Sequence, residues 1–63
     1  MKRFKVSFKA TRKGQSIYML GAVDNFPANN VDEVMAACKV EWERRYDGEW
    51  VLEVIRWEVV GHE

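Results

Sequence analysis

Sixty-three residues read as one small domain spanning 1–63, with ten basic and ten acidic side chains and a net charge of zero. One cysteine excludes an internal disulfide, and one histidine leaves no Cys/His set at metal-ligand spacing, so neither metal nor cofactor is expected. With no charged-then-apolar leader and no membrane-length apolar run, the expectation is a soluble chain in a reducing, cytoplasmic setting without a membrane partner. A chain this short buries only about 60% of its unfolded surface. About 3–9 kcal/mol of total stability follows.

Arg3–Ala10 alternates cleanly, with Phe4, Val6, Phe8 and Ala10 on one side and Lys5, Ser7 and Lys9 on the other. That is a half-buried first strand. Thr11–Gln15 reads as a turn in which Gly14 supplies a positive φ, so a hairpin is the natural continuation. Ser16–Val23 is the second strand. Its alternation is poor, because Ile17 and Met19 lie on one side while Tyr18 and Leu20 lie on the other. Asp24–Asn29 is dense in turn formers and reads as a loop, with Pro27 ending the strand and Phe26 folding back on the core.

Asn30–Tyr46 carries Val31, Val34, Met35, Cys38, Trp42 and Tyr46 on one stripe at helical spacing. Asn30 is placed to cap the first turn, and Glu33 three residues on completes a near capping box. Asp32 and Glu33 suit the positive end of the helix dipole, and Arg44 and Arg45 the negative end. Asp47-Gly48 then stops the helix, with Gly48 as a left-handed cap. Glu49–Val60 is the third strand, rich in β-branched and aromatic residues. Leu52 and Val54 share one parity and Trp57 and Val59 the other, so a β-bulge near Val54–Ile55 is needed to bring all four to the core side. Gly61–Glu63, with His62, reads as a fraying tail.

The order is β-β-α-β, an α+β fold. A helix must lay its apolar stripe across the sheet, and the third strand returns beside the first, giving three antiparallel strands in the order 2-1-3. The second and third strands are then edges, and neither is expected to carry a proline.

Charge is unevenly spread. Through Val23 there are six basic residues and no acidic one; from Asp24 onward there are ten acidic and four basic, so the halves carry +6 and −6. Two explanations compete. A basic stripe on the first strand and its turn (Arg3, Lys5, Lys9, Arg12 and Lys13) could contact nucleic acid, although Phe4 and Phe8 turn to the core and leave no stacking platform there. Alternatively, Lys5 and Lys9 answer Glu53 and Glu58 across the sheet.

No catalytic grouping emerges. Cys38 lies on the buried stripe with no histidine in register, and the acidic residues Glu41, Glu43, Asp47 and Glu49 read as a solvated helix end. The four glycines form no phosphate loop. An enzyme is not expected. The apolar content is what remains: one helix cannot cover Tyr18, Leu20, Trp50, Val51 and Ile55 together, and exposed aromatics ringed by charge mark protein interfaces.

The element order, with NVDEVMAACKVEWERRY in the helix and VIRWEVV in the last strand, resembles the small host-RNA-polymerase inhibitors of T7-like phages. The likeness spans Phe4–Val60 and implies a fold of this order whose last-strand arginine, here Arg56, faces an acidic enzyme surface. Glu53 and Glu58 beside it depart from that scheme. The expected function is a non-catalytic protein-binding module, such as an inhibitor docking on a larger enzyme, with Arg56, Trp50, Ile55 and Tyr18 as partner-binding residues. A nucleic-acid-binding module and a homodimer joined through a strand edge are the alternatives.

Overall fold

The alternation of Phe4, Val6, Phe8 and Ala10 builds the central strand of a three-stranded antiparallel sheet. In the computed structural model, which describes residues 1–62, the elements are β1 (Lys2–Arg12), β2 (Tyr18–Ala28), α1 (Val31–Arg45) and β3 (Trp50–His62). The sheet order is β2-β1-β3, as the sequence predicts. All four alternating β1 side chains are buried and meet Val34 and Cys38 from the helix, with Ala28 and Trp50 closing the two ends.

The β1–β2 hairpin turns through Arg12–Gln15, where the Gln15 amide donates to the Arg12 carbonyl at 3.1 Å. Gly14 sits at the third position with φ +80°, a conformation that glycine adopts without a Cβ penalty. The helix starts where the sequence places it. Asn30 Oδ1 accepts from the Glu33 amide at 3.0 Å, and Val31, Met35, Trp42 and Tyr46 join Val34 and Cys38 against the core. At the other end Tyr46, in extended conformation, is the capping residue, and its N–H donates to the Trp42 carbonyl. Gly48 does take positive φ, but beyond the cap, where the Arg12 guanidinium packs so closely that a Cβ would lie 2.9 Å from it.

Three boundaries differ from expectation, each for a local reason. β2 does not stop at Val23. It continues to Ala28 past a bulge in which Asp24 and Asn25 together oppose Lys5, with Asn25 at φ +54°. Asparagine tolerates that left-handed conformation better than most residues. The bulge returns Phe26 to the side of Phe4, so it packs on the core as a strand residue. Pro27 is therefore inside an edge strand, paired with Arg3, where a missing N–H is tolerated. Finally, Gly61 and His62 are not a loose tail; they pair with Arg3 and Lys2 at the end of β3. Glu63 lies outside the described residues.

The expected bulge in β3 is present. Ser7 pairs with Arg56 and Phe8 with Val54, which leaves Ile55 as the extra residue, and a second bulge leaves Val60 extra between Val59 and Gly61. Leu52, Val54, Trp57 and Val59 thereby face the same side as the buried β1 residues. The helix does not cover all of them. Trp57 pairs with Val6, which is fully buried, but stands on the edge strand β3 and remains 51% exposed, leaning on Phe4 with ring centroids 5.8 Å apart.

Candidate partner-binding surface

Because side chains alternate along a strand, the sheet face opposite the helix is set by the residues between the core positions. β1 contributes Lys5, Ser7, Lys9 and Thr11. In register beside them lie Tyr18, Leu20 and Ala22 on β2 and Val51, Glu53, Arg56 and Glu58 on β3. Among the described residues, no second layer covers this face. Leu20 is 68% exposed, Ile55 59%, Val51 58% and Tyr18 57%. The bulge matters here: it lets Ile55 join Ser7, Leu20 and Ala22 around a shallow depression, floored by the small side chains of the centre.

Apolar and charged rows interleave on this face. Lys5 is opposite Glu58 and Lys9 is opposite Glu53, the pairing that the charge asymmetry between the two halves suggests. The Lys9 ammonium leans the other way, 4.8 Å from the centre of the Tyr18 ring, a cation–π geometry that holds the phenol against the sheet. Arg56 stands opposite Ser7, a residue with no charge to answer it, and is exposed.

The predicted site residues do not all gather there. Tyr18, Ile55 and Arg56 share the open face. Trp50 does not. It is 5% exposed and packs edge-on to Trp42 at 6.1 Å and against Tyr46 at 6.0 Å, beneath the end of the helix. Its parity with Leu52 and Val54 assigns it to the helix side, so the expectation that one helix leaves Trp50 outside is corrected: it seals the core. In its place the structure exposes Leu20 and Val51 on the open face and Trp57 on the other. The signal for Trp57 was its place on an edge strand, beside the buried Val6 of the centre.

The basic residues of the first strand and turn are dispersed. Arg3 donates to the Asn25 carbonyl at 3.1 Å, Lys13 pairs with Glu49 at 3.1 Å, and Arg12 lies against Gly48. Lys5 and Lys9 share the open face of β1, each beside an acidic residue of β3.

Cys38 is buried, and desolvation pushes its thiol pKa up, away from the thiolate that a nucleophile needs. It borders an apolar groove between α1 and β2 lined by Phe8, Val23, Phe26 and Trp42, with Glu41 and Arg45 at the rim. The indole N–H groups of Trp42 and Trp50 are buried without a hydrogen-bond acceptor. Among the described residues, no three His, Cys, Asp or Glu side chains are grouped to hold a metal ion, and no helix is long and apolar enough to cross a membrane.

Comparison with protein-family models, with curated proteins and with solved structures gives no match. The resemblance to phage polymerase inhibitors thus draws no support from known relatives.

Proposed function

We propose that this chain is a small non-catalytic module that docks its uncovered sheet face on a larger protein. The observation carrying this reading is the concentration of Tyr18, Leu20, Val51 and Ile55, each more than half exposed, on one face where Lys9, Glu53 and Arg56 are interleaved with them. Exposed apolar side chains set among charges are the material of a protein interface, in which a few aromatic, aliphatic or arginine anchors hold most of the binding energy. Here Ile55 and Leu20 are the central anchors, Tyr18 is the aromatic one, and Arg56 supplies the exposed charge for an acidic patch on the partner. An inhibitor of a large enzyme, with host RNA polymerase as the first to test, is the specific form of this reading.

The nucleic-acid alternative is weaker on electrostatic grounds. A phosphate backbone is bound by clustered cations, whereas Lys5 and Lys9 stand directly beside Glu58 and Glu53.

Surface plasmon resonance over immobilised bacterial RNA polymerase, and in parallel over single- and double-stranded DNA, tests both. Binding to the enzyme is expected, with Ile55→Asp and Leu20→Asp abolishing it and Arg56→Ala weakening it by about 1–3 kcal/mol. Lys5→Ala and Lys9→Ala should change it little. Binding to DNA alone, lost with the lysines and falling steeply as salt rises, would replace this reading with the nucleic-acid one.

A further inference from the structure

The two sheet edges are not equivalent. β2 carries Pro27 and the Asn25 bulge in its second half, where both discourage another strand from pairing, and keeps Tyr18–Val23 in unbroken register. β3 has no proline. Its bulges at Ile55 and Val60 enclose a regular run, Arg56–Val59, that is exposed along its whole length. β3 holds two runs in unbroken register, Trp50–Val54 and Arg56–Val59, and only the second is exposed along its whole length.

The run is complementary to itself. Arg56 and Glu58 lie on the open face, opposite Ser7 and Lys5, with Trp57 between them on the helix face. An antiparallel copy related by a two-fold axis at Trp57 sets each Arg56 directly opposite the Glu58 of the second copy, twice, and each Val59 against the bulged Ile55 of the second copy. Opposite charges in such cross-strand positions attract, and like charges there repel. The same axis places the two Trp57 rings side by side. Each is now half exposed although it already leans on Phe4, so the pairing covers the largest apolar side chain that the helix leaves uncovered on its own side. We propose that a second copy of this chain pairs antiparallel along Arg56–Val59, forming a continuous six-stranded sheet through a β3–β3 junction.

The helices permit it. Both would lie on one side of the joined sheet. If each sits between β3 and β1, or over β1, their axes are two to three strand spacings apart, roughly 10–14 Å. Packed helices approach to about 8–10 Å, so the two fit with a trough between them. The Trp57 rings line its floor. Both open faces stay uncovered, and Arg56 is the residue that this inference shares with the docking reading. A strand junction with one aromatic pair is a small interface, so the association is expected to be weak.

Sedimentation of the intact chain from roughly 10 µM to 1 mM tests it, alongside R56E and E58R, each checked for its fold by circular dichroism. The wild type should show a monomer–dimer equilibrium. R56E makes both positions acidic and E58R makes both basic, so each alone should lose roughly tenfold or more in association. An equimolar mixture of the two should recover it, since every cross-strand pair is then opposite in charge. Hydrogen exchange on the wild type, independent of any variant's folding, should slow at Arg56–Val59 as concentration rises. A wild type that stays monomeric, a dimer indifferent to both reversals, a mixture that does not recover, or exchange in this run that ignores concentration would each overturn the proposal.

Discussion

Two tryptophans close the end of the core beneath the last turns of the helix. Trp42 meets Phe8 edge-on at 5.4 Å and Tyr46 at 4.8 Å, and Trp50 lies below both helix side chains. Removing either ring leaves a cavity that a domain with one layer of helix cannot collapse, at a cost of about 3–5 kcal/mol. The whole domain holds only about 3–9 kcal/mol. Trp42→Ala and Trp50→Ala should therefore be largely unfolded at room temperature by circular dichroism. A cooperative melt of Trp50→Ala within a few degrees of wild type would mean that this ring is a surface anchor after all. Cys38 gives a pH-dependent signature. Burial raises its folded pKa above that of the unfolded thiol, about 8.5. The neutral thiol costs nothing below that pH; above it the unfolded chain gains by ionising, and stability declines as pH rises toward the folded value. Chemical denaturation of wild type and Cys38→Ala should therefore give a stability difference that is constant up to about pH 8 and shrinks as pH rises to 10. A difference unchanged across that range would place the thiol in water.

At the scale of elements, the helix start is the most local feature and the easiest to test. Asn30 accepts from the Glu33 amide, and Glu33 reaches back to the Asn30 side chain at 3.5 Å rather than to its backbone, so the cap is one strong bond with a weak second. Asn30→Ala should cost about 1 kcal/mol and Glu33→Ala less, read as midpoint shifts in urea. A larger loss from Glu33 would make the reciprocal contact the dominant one. Strand β2 shows how local chemistry can mislead. Asp24-Asn25 and Pro27 have the composition of a loop, yet they extend the edge, because a bulge with left-handed Asn25 restores the register and an edge position tolerates proline. Gly21 in the same strand faces the core. A Cβ there would come within 2.6 Å of the Phe8 ring and 2.9 Å of Trp42, so the gap in side chains at this point is filled from two other elements.

For the molecule as a whole, one helix on a three-stranded sheet leaves one face and two edges unpaired. The structure distributes these differently in chemistry. Aliphatic and aromatic residues interleaved with charges occupy the open face, a proline and a bulge interrupt one edge, and alternating charge flanks an uncovered tryptophan on the other. That division is the reason for assigning heterologous docking to the face and self-association to the β3 edge. The two are separable through Leu20→Asp, which lies on β2 and should abolish docking while leaving self-association through β3 intact.

Much of this architecture is a matter of periodicity and capping, which are local and therefore legible along the chain. The alternation of Phe4 to Ala10, the helical stripe from Val31 to Tyr46, Asn30 as its cap, Gly14 in the turn and the slip in phase at Ile55 are enough to define four elements and the order β2-β1-β3. The pairing of Lys5 and Lys9 with Glu58 and Glu53 follows from that order. What no local pattern contains is which apolar residues the helix covers. By sequence, Trp50 is left uncovered and Trp57 is turned to the core. In the structure Trp50 is 5% exposed beneath the helix end and Trp57, though on the helix side, is 51% exposed at the sheet edge. Coverage depends on how one helix lies across the width of the sheet, burying Val6 but not its neighbour Trp57, and only the packed tertiary structure decides that.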